Sequence, residues 1–565
     1  SNNLTESDIM VDSPTNNFCT MNPLDNISST YSEGNTKVAQ SNYDYNSRGT
    51  IPLNSGKWYW EIFMAQAAGC FGVCESPKMP QLDPIAQYPA YFITDDGGSD
   101  DASVRAANSA TGASITNKSP SGRFGNNKIA MIAYDADDGK LYYGVEGTWQ
   151  LSADPAAGSN PLVSSISTRY GGAIVPLIGT TSSSATSKVV NFGQDSSFAG
   201  NKTAQGNQDG NAIGDFFYAP PSGFLALCTA NLPDAAVIPS EYFNTVLYTG
   251  NGSTQDITSV GFSPNLTWIK NRAATDANQI FDSVRGVTKT LDSGSTVAET
   301  VNDDTLTHFL SNGFTTGDDV TTNTDGEGYV AWNWKAGTSV SGNTTGSGTY
   351  KSYSGSVNTT AGFSIIKYTG NGAAGHTIPH RLGVTPSTIF VKMTSDTGDW
   401  SSYHSALGNT KYMRLSGSGT STTSSTYWNN TSPNSTNFTV GTTGNLNGNN
   451  STFIAYCFAD VKGYSKMSGY TGNNQTGNSS PFIYTGFAPT WLMVKKYSAT
   501  NHWIIWDNRR STKNGANIID KKLYANLTNA ENGAEDVSFL SNGFKFNTNT
   551  GDWNATEDYL YMCFG

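Results

Sequence analysis

Charge is scarce in this chain. Only 14% of its 565 residues are Asp, Glu, Lys or Arg, and 45 acidic against 33 basic residues leave a net charge of −12. The basic residues are scattered, with pairs such as Arg509-Arg510 but no basic block. Nucleic-acid binding relies on a concentrated positive footprint, so no nucleic-acid partner is expected. No run approaches the ~18 apolar residues of a membrane-spanning helix, so no membrane insertion is expected either. Ser1-Asn-Asn-Leu-Thr-Glu-Ser7 lacks the basic and apolar regions of a signal peptide. Cysteine is sparse: Cys19, Cys70, Cys74, Cys228, Cys457 and Cys563. Only Cys70 and Cys74 are close in sequence, and on an alternating strand their Cα atoms stand ~13 Å apart, too far for a disulfide. Buried free thiols and a reducing compartment are the expectation. Sustained helical spacing is missing. So are a heptad run and a collagen repeat, which excludes a long trimeric fibre shaft.

What the chain has in quantity is glycine (59 residues) and aromatics (12%), the profile of short strands joined by many turns. It also has a repeat. Tyr248-Thr-Gly-Asn-Gly252, Leu266-Thr-Trp-Ile-Lys270, Phe281-Asp-Ser-Val-Arg285, Leu310-Ser-Asn-Gly-Phe314 and Ala331-Trp-Asn-Trp334 recur in order from Tyr368 to Phe458 and from Tyr470 to Phe564. The opening tyrosines are turn-flanked. The strands behind Pro264, Pro386 and Pro489 are continuously apolar, as a strand buried on both faces would be. Each copy reads as a small antiparallel sandwich. The expected division is 1–235, 240–337, a flexible or extended Gly/Ser/Thr linker at 338–362, 363–460 and 461–565.

Residues 1–235 differ. Lys57-Trp-Tyr-Trp-Glu-Ile-Phe63 is an aromatic strand behind a Ser55-Gly56 turn, and Asp135-Ala-Asp-Asp-Gly139 joins Lys128–Tyr134 to Lys140–Gly144 as a hairpin. With Asn191-Phe-Gly193 and Pro220-Pro-Ser-Gly-Phe224, these pieces resemble the SPRY family, whose members are concanavalin-like jelly-roll sandwiches. The stretch Ser13–Pro23 and the exit Gly223–Pro233 resemble the version found in tailed-phage virion proteins. The three copies that follow resemble a module repeated in virion surface proteins of marine tailed phages, especially those infecting cyanobacteria. The fold class expected is therefore all-β and multidomain, a SPRY-like sandwich followed by three repeated small β-sandwich modules.

Candidate chemistry is thin. Asp282 and Arg285 return as Asp507 and Arg510, but the middle copy carries His404 and Leu407, so this pair reads as an ion pair holding a turn. His376 and His380 enclose Pro379 and lack the glutamate of a helical zinc motif. Asp95, Asp96, Asp100 and Asp101 surround Gly97-Gly98 and are the weak calcium candidates, a solvated acidic loop being the simpler reading; no metal or cofactor is assigned. Aromatic faces stack on sugars, and Trp400, Tyr427, Trp428, Trp503 and Trp553 sit in polar, loop-like sequence, which nominates them for exposure and ligand contact. No catalytic set can be defended from spacing.

The resemblance implies a non-enzymatic virion surface protein of a tailed phage, assembled in the host bacterial cytoplasm. It would be a capsid-decorating knob or a tail-peripheral, receptor-binding protein. Its partners would be other virion proteins and a host-surface polysaccharide. Two alternatives stand beside it. One is a tail-associated polysaccharide-degrading enzyme, which needs a carboxylate pair in a groove. The other is a SPRY-type adaptor that binds a peptide through its loops.

Overall fold

A computed structural model describes residues 16–26, 29–40, 46–53, 55–66, 69–76, 90–95, 103–108, 113–114, 125–166, 173–180, 186–232, 237–477, 480–513 and 517–565. The chain is all-β, and among the described residues the strand ladders are antiparallel apart from one short parallel pairing. It divides into two compact units, Ser1–Asp234 with Gly477–Tyr484, and Ala235–Thr476 with Thr485–Gly565.

In the first unit, Lys57–Met64 lies at the centre of one sheet, paired with Lys128–Asp135 on one side and Thr186–Asn191 on the other. Gly69–Ser76 is central in a second sheet, between Ala173–Gly179 and Ala90–Asp95. Trp58, Trp60, Ile62 and Met64 from the first sheet share one core with Phe71, Val73 and Ile93 from the second, the alternating inward faces of a sandwich. The Asp135–Lys140 connection is the expected hairpin. Its Asp135 carboxylate accepts the Asp137 and Asp138 N–H groups (both 3.1 Å) and meets Lys57 Nζ at 2.9 Å. All six cysteines are buried free thiols.

In the second unit one strand order occurs three times. Phe243–Thr249, Gly328–Trp334, Leu266–Asn271, Gln279–Asp282 and Lys289–Asp292 lie side by side in the first module. Phe363–Thr369, Thr452–Phe458, Thr388–Met393, Ser401–His404 and Lys411–Arg414 do so in the second. Ser465–Thr471, Asp558–Phe564, Trp491–Lys496, Ile504–Asp507 and Ile518–Tyr524 do so in the third. The proline-entered strand is inside the sheet each time, and its residues are buried apart from the terminal Lys496. Continuous apolar sequence is what such a position demands.

The segment expected to be a flexible or extended linker takes the extended form and pairs into a sheet. Thr338–Asn343 and Ser352–Asn358 form a hairpin that extends the second module's sheet by pairing with Phe363–Thr369. Tyr353 and Val357, four residues apart and so on one face of the strand, are both buried in that module's core. Gly355 is required there, because a Cβ would lie 2.3 Å from the Ile365 carbonyl oxygen. Composition alone hid a strand whose two anchors are outnumbered by small residues.

The three sheets do not stand apart. One core takes Trp268, Trp332 and Trp334 from the first module, Phe390, Tyr456 and Phe458 from the second, and Trp491, Met562 and Phe564 from the third. The closing aromatics Trp334, Phe458 and Phe564 meet as a triangle, with ring centroids 6.2, 5.7 and 5.9 Å apart. Phe243 and Phe363, from the opening strands, pack on Trp334 and Phe458 at 4.9 and 4.6 Å. Where the third module has Ser465 instead, the preceding Tyr464 fills the space against Phe564 at 5.5 Å. Trp332 is fully buried and makes an edge-to-face contact with Trp268 at 5.7 Å. Replacing Trp332 by Ala in the full chain should lower stability by about 3–5 kcal/mol, read as a shift of the denaturant midpoint; a change under ~1 kcal/mol would show that the core lies elsewhere.

Candidate functional site

Buried ionisable and hydrogen-bonding side chains of the second unit gather at the seams where its three modules meet. Three contacts recur at all three. The Glu299 N–H donates to Thr394 O (3.2 Å), Ser421 N–H to Tyr497 O (3.0 Å) and Glu531 N–H to Arg272 O (2.9 Å). The penultimate residue of each proline-entered strand is a buried lysine that donates to a neighbouring module's carbonyl. Lys270 reaches Thr528 O (2.9 Å), Lys392 reaches Thr296 O (3.1 Å) and Lys495 reaches Ser418 O (3.1 Å). Third, Trp400 Nε1 donates to Asp292 O (2.8 Å), Trp503 Nε1 to Arg414 O (3.0 Å) and Asn278 Nδ2 to Tyr524 O (3.2 Å). One links two to one, one three to two, and one one to three. The modules therefore close into a ring with a cyclic, threefold-like contact pattern. Burial pushes Lys270 and Lys392 down to about 8 and Lys495 to about 7, since desolvation disfavours an ammonium.

The aspartate positions complete each seam differently. Asp282 Oδ1 accepts the Val284 and Arg285 N–H groups at 3.0 and 2.8 Å, and its Oδ2 pairs with Arg285 Nε. The same oxygen accepts a hydrogen bond from Tyr456 of the second module at 2.7 Å. Asp507 repeats this with Arg510 Nε at 2.6 Å and accepts the Trp332 indole N–H of the first module at 3.0 Å. Both arginines are finished by a glutamate: Arg285 by Glu299 (3.4 Å) and Arg510 by Glu531 (3.1 Å), the latter also held by Arg272 at 2.9 Å. In the third module Met562 stands where Tyr456 and Trp332 stand in the others, and it has no proton to donate. The facing residue is His404. Its Nδ1 accepts the Ala406 N–H (3.1 Å), as the aspartate does from Val284, and its Nε2–H donates to the Tyr561 carbonyl (3.1 Å). A carboxylate can only accept, whereas a neutral imidazole does one of each. Histidine therefore occurs at the seam that offers an acceptor. Burial pushes its pKa down to about 4.

The residues nominated for exposure are in the interior. Trp400 (0% exposed), Tyr427 (6%), Trp428 (1%), Trp503 (2%) and Trp553 (1%) are all buried. Trp400 and Trp503 are the seam donors described above. Tyr427 stacks on Tyr412 at 3.4 Å, Trp428 packs edge-on to Tyr403 at 5.6 Å, and Trp553 packs edge-on to Trp506 at 5.5 Å with its Nε1 on Thr548 at 3.1 Å. Tyr427 and Trp428 lie on the short helix Ser425–Trp428, and polar flanks did not place any of these rings at the surface. Of the acidic cluster, Asp95 ends the strand Ala90–Asp95, and Asp96, Asp100 and Asp101 lie outside the described residues. Among the described residues no group of His, Cys, Asp and Glu is arranged to hold a metal. His376 and His380 are buried, and each ring nitrogen already has a protein partner.

Sequence reading missed Asn323, Asn447 and Asn554. Each is fully buried, and its Oδ1 accepts the N–H of Asn251, Asn371 or Asn473 (2.9, 2.9 and 3.1 Å), fixing the Gly-Asn turn that opens its module. The available signal was an asparagine four or five residues ahead of each closing strand. Hollows among the described residues of this unit include a void and a cleft. A void of ≈20 Å³ in the shared core, about one water in size, is lined by apolar side chains such as Trp334, Phe458 and Met562. A cleft of ≈560 Å³ between Asn265, Ser283 and the hairpin's Ser339, Ser341, Ser354 and Ser356 offers hydroxyls but no titratable group.

A family model described as "Domain of unknown function (DUF7483)" matches residues 238–565, the span that holds the ring. The chain belongs to that family. No curated protein matches it. Similar solved structures include the SPRY domain of human HERC1 (11% identity, 30% of this chain and 96% of that one, TM-score 0.23). They also include the PSpry domain of TRIM65 (16% identity, 31% and 92%, TM-score 0.22). Likeness at this level carries no weight for function; the sandwich of the first unit rests on its own strand pairing.

Two outcomes follow from the seams. His404→Asp places a carboxylate against a carbonyl with no arginine beside it, and should cost about 3–5 kcal/mol. Adding Leu407→Arg should recover about 1–3 kcal/mol of that loss, measured by a double-mutant denaturation cycle. Titration gives the second. The folded pKa of His404 lies below its unfolded value near 6.5, so its contribution is present above pH 6.5 and is lost as pH falls toward 4. That loss amounts to about 3 kcal/mol, and thermal melts of His404→Gln should lack this part of the acid slope.

Proposed function

We propose that the protein is a non-enzymatic surface component of a tailed-phage virion, a compact knob on the capsid or the tail periphery that contacts host-surface glycan. The observation carrying this reading is the closed ring, whose ionisable and hydrogen-bonding side chains are spent on holding three modules together. Asp282, Arg285, Glu299, Asp507, Arg510 and Glu531 are committed to one another and to neighbouring strands. An enzyme needs such groups aimed at a substrate; here they face other modules. The resemblance of the repeats to modules of marine-phage virion proteins supplies the virion, and with it the other virion proteins as partners. The buried free thiols suit assembly in a reducing bacterial cytoplasm. Many copies on one particle would turn weak glycan contacts into avid attachment through effective concentration.

A glycan array run together with a reducing-sugar assay on host envelope material tests this. The expected outcome is retention on envelope polysaccharide with no sugar released. Sugar release abolished by a single carboxylate substitution would replace the structural reading with a polysaccharide-degrading one. Binding to a peptide ligand alone would favour the adaptor.

A further inference from the structure

Among the described residues one aromatic side chain stands in solvent: Tyr350, 59% exposed. It sits at the tip of the hairpin Thr338–Asn343/Ser352–Asn358, and this tip is pinned from several directions. The buried Thr344 donates its N–H to Lys351 O (2.7 Å), and its hydroxyl accepts the Lys351 N–H (2.8 Å). The same hydroxyl meets His376 Nε2 at 2.6 Å, while His376 Nδ1 meets Asn447 Oδ1 at 3.0 Å. An amide oxygen only accepts, so Nδ1 carries the proton and Thr344 donates to Nε2. Asn371 Nδ2 donates to both Ser347 O and Thr349 O at 2.9 Å, and Ser347 N–H to Gly375 O at 2.9 Å. Thr345–Gly346 adds to a three-stranded sheet through His376 and Thr377. Next in sequence, Lys351 Nζ donates to Asn450 Oδ1 at 2.8 Å.

A tip built from Gly, Ser and Thr would ordinarily be mobile; this one is held in a single shape around an outward-facing ring. We propose that Tyr350 and its pinned surroundings form a saccharide-binding platform. The ring face stacks on the apolar face of a pyranose, and Ser347, Thr349 and the Lys351–Asn450 pair present donors and acceptors to its hydroxyls. Two features favour a sugar: a flat amphipathic ring ordered before binding, and small polar neighbours that adapt to hydroxyls. Both keep the entropy lost on binding small. This inference rests on the glycan-contact reading and names the place where contact is made.

The test uses the full chain and an array of neutral and uronate-containing oligosaccharides. Tyr350→Ala should weaken binding about tenfold or more. Tyr350→Phe should keep it within about twofold, because the ring and not the hydroxyl does the stacking. Both variants should melt with the wild type, since the side chain is in solvent. Wild-type binding that Tyr350→Ala leaves intact would overturn the platform and spare the glycan reading. A wild type that binds no oligosaccharide on the array would remove both.

Discussion

The meeting of Trp334, Phe458 and Phe564 is the contact on which the second unit depends. Each ends the closing strand of its own module, and each would be exposed if that module stood alone. Three large rings within about 6 Å of one another form a core that no single module can complete. An exposed apolar face of this kind has to be covered, and the tandem copies cover one another. Ring closure thus follows from where the last strand ends and from the size of its final residue.

Around that apolar centre the seams are polar, and burial makes their geometry strict. A buried ion pair adds little net stability, but a broken one is costly. The strictness explains why Asp282 and Asp507 keep their arginines while position 404 has changed charge, size and hydrogen-bonding sense together. Thr267 donates to Asn333 at 3.0 Å inside the first module. The matching pairs are Ile389 with Cys457 and Leu492 with Cys563, opposite each other across the same strands, so there too the polar partners were exchanged as a pair. At these two places the copies differ two residues at a time.

Much of the fold was legible in the sequence. The continuous apolar runs after Pro264, Pro386 and Pro489 marked the inner strands because a strand covered on both faces has no polar side to alternate. The Asp135–Gly139 hairpin was readable because its turn chemistry is local. The seams were not. Trp400 lies between Asp399 and Ser401 and has the neighbours of a loop residue. Its partner, the Asp292 carbonyl, is over a hundred positions away in another module, and nothing local encodes that pairing. Composition misled in the same way at Thr338–Asn358, where Tyr353 and Val357 decide the structure against a majority of Ser, Gly and Thr. The loss of Asp and Arg from the middle copy marked the pair as structural, but the reason for histidine required the neighbour, Met562, to be seen opposite.

The ring also has a consequence that belongs to heredity as much as to mechanics. Three identical subunits must place the same side chain at every interface, so one substitution is felt three times and any compensation must suit all three sites. Here the copies share one polypeptide. His404 can answer Met562 without disturbing Asp282 or Asp507, and a hairpin can grow on one module alone. Covalent linkage also makes closure independent of protein concentration. Three copies within one chain can close on one another as three subunits would, without the obligation to be symmetric.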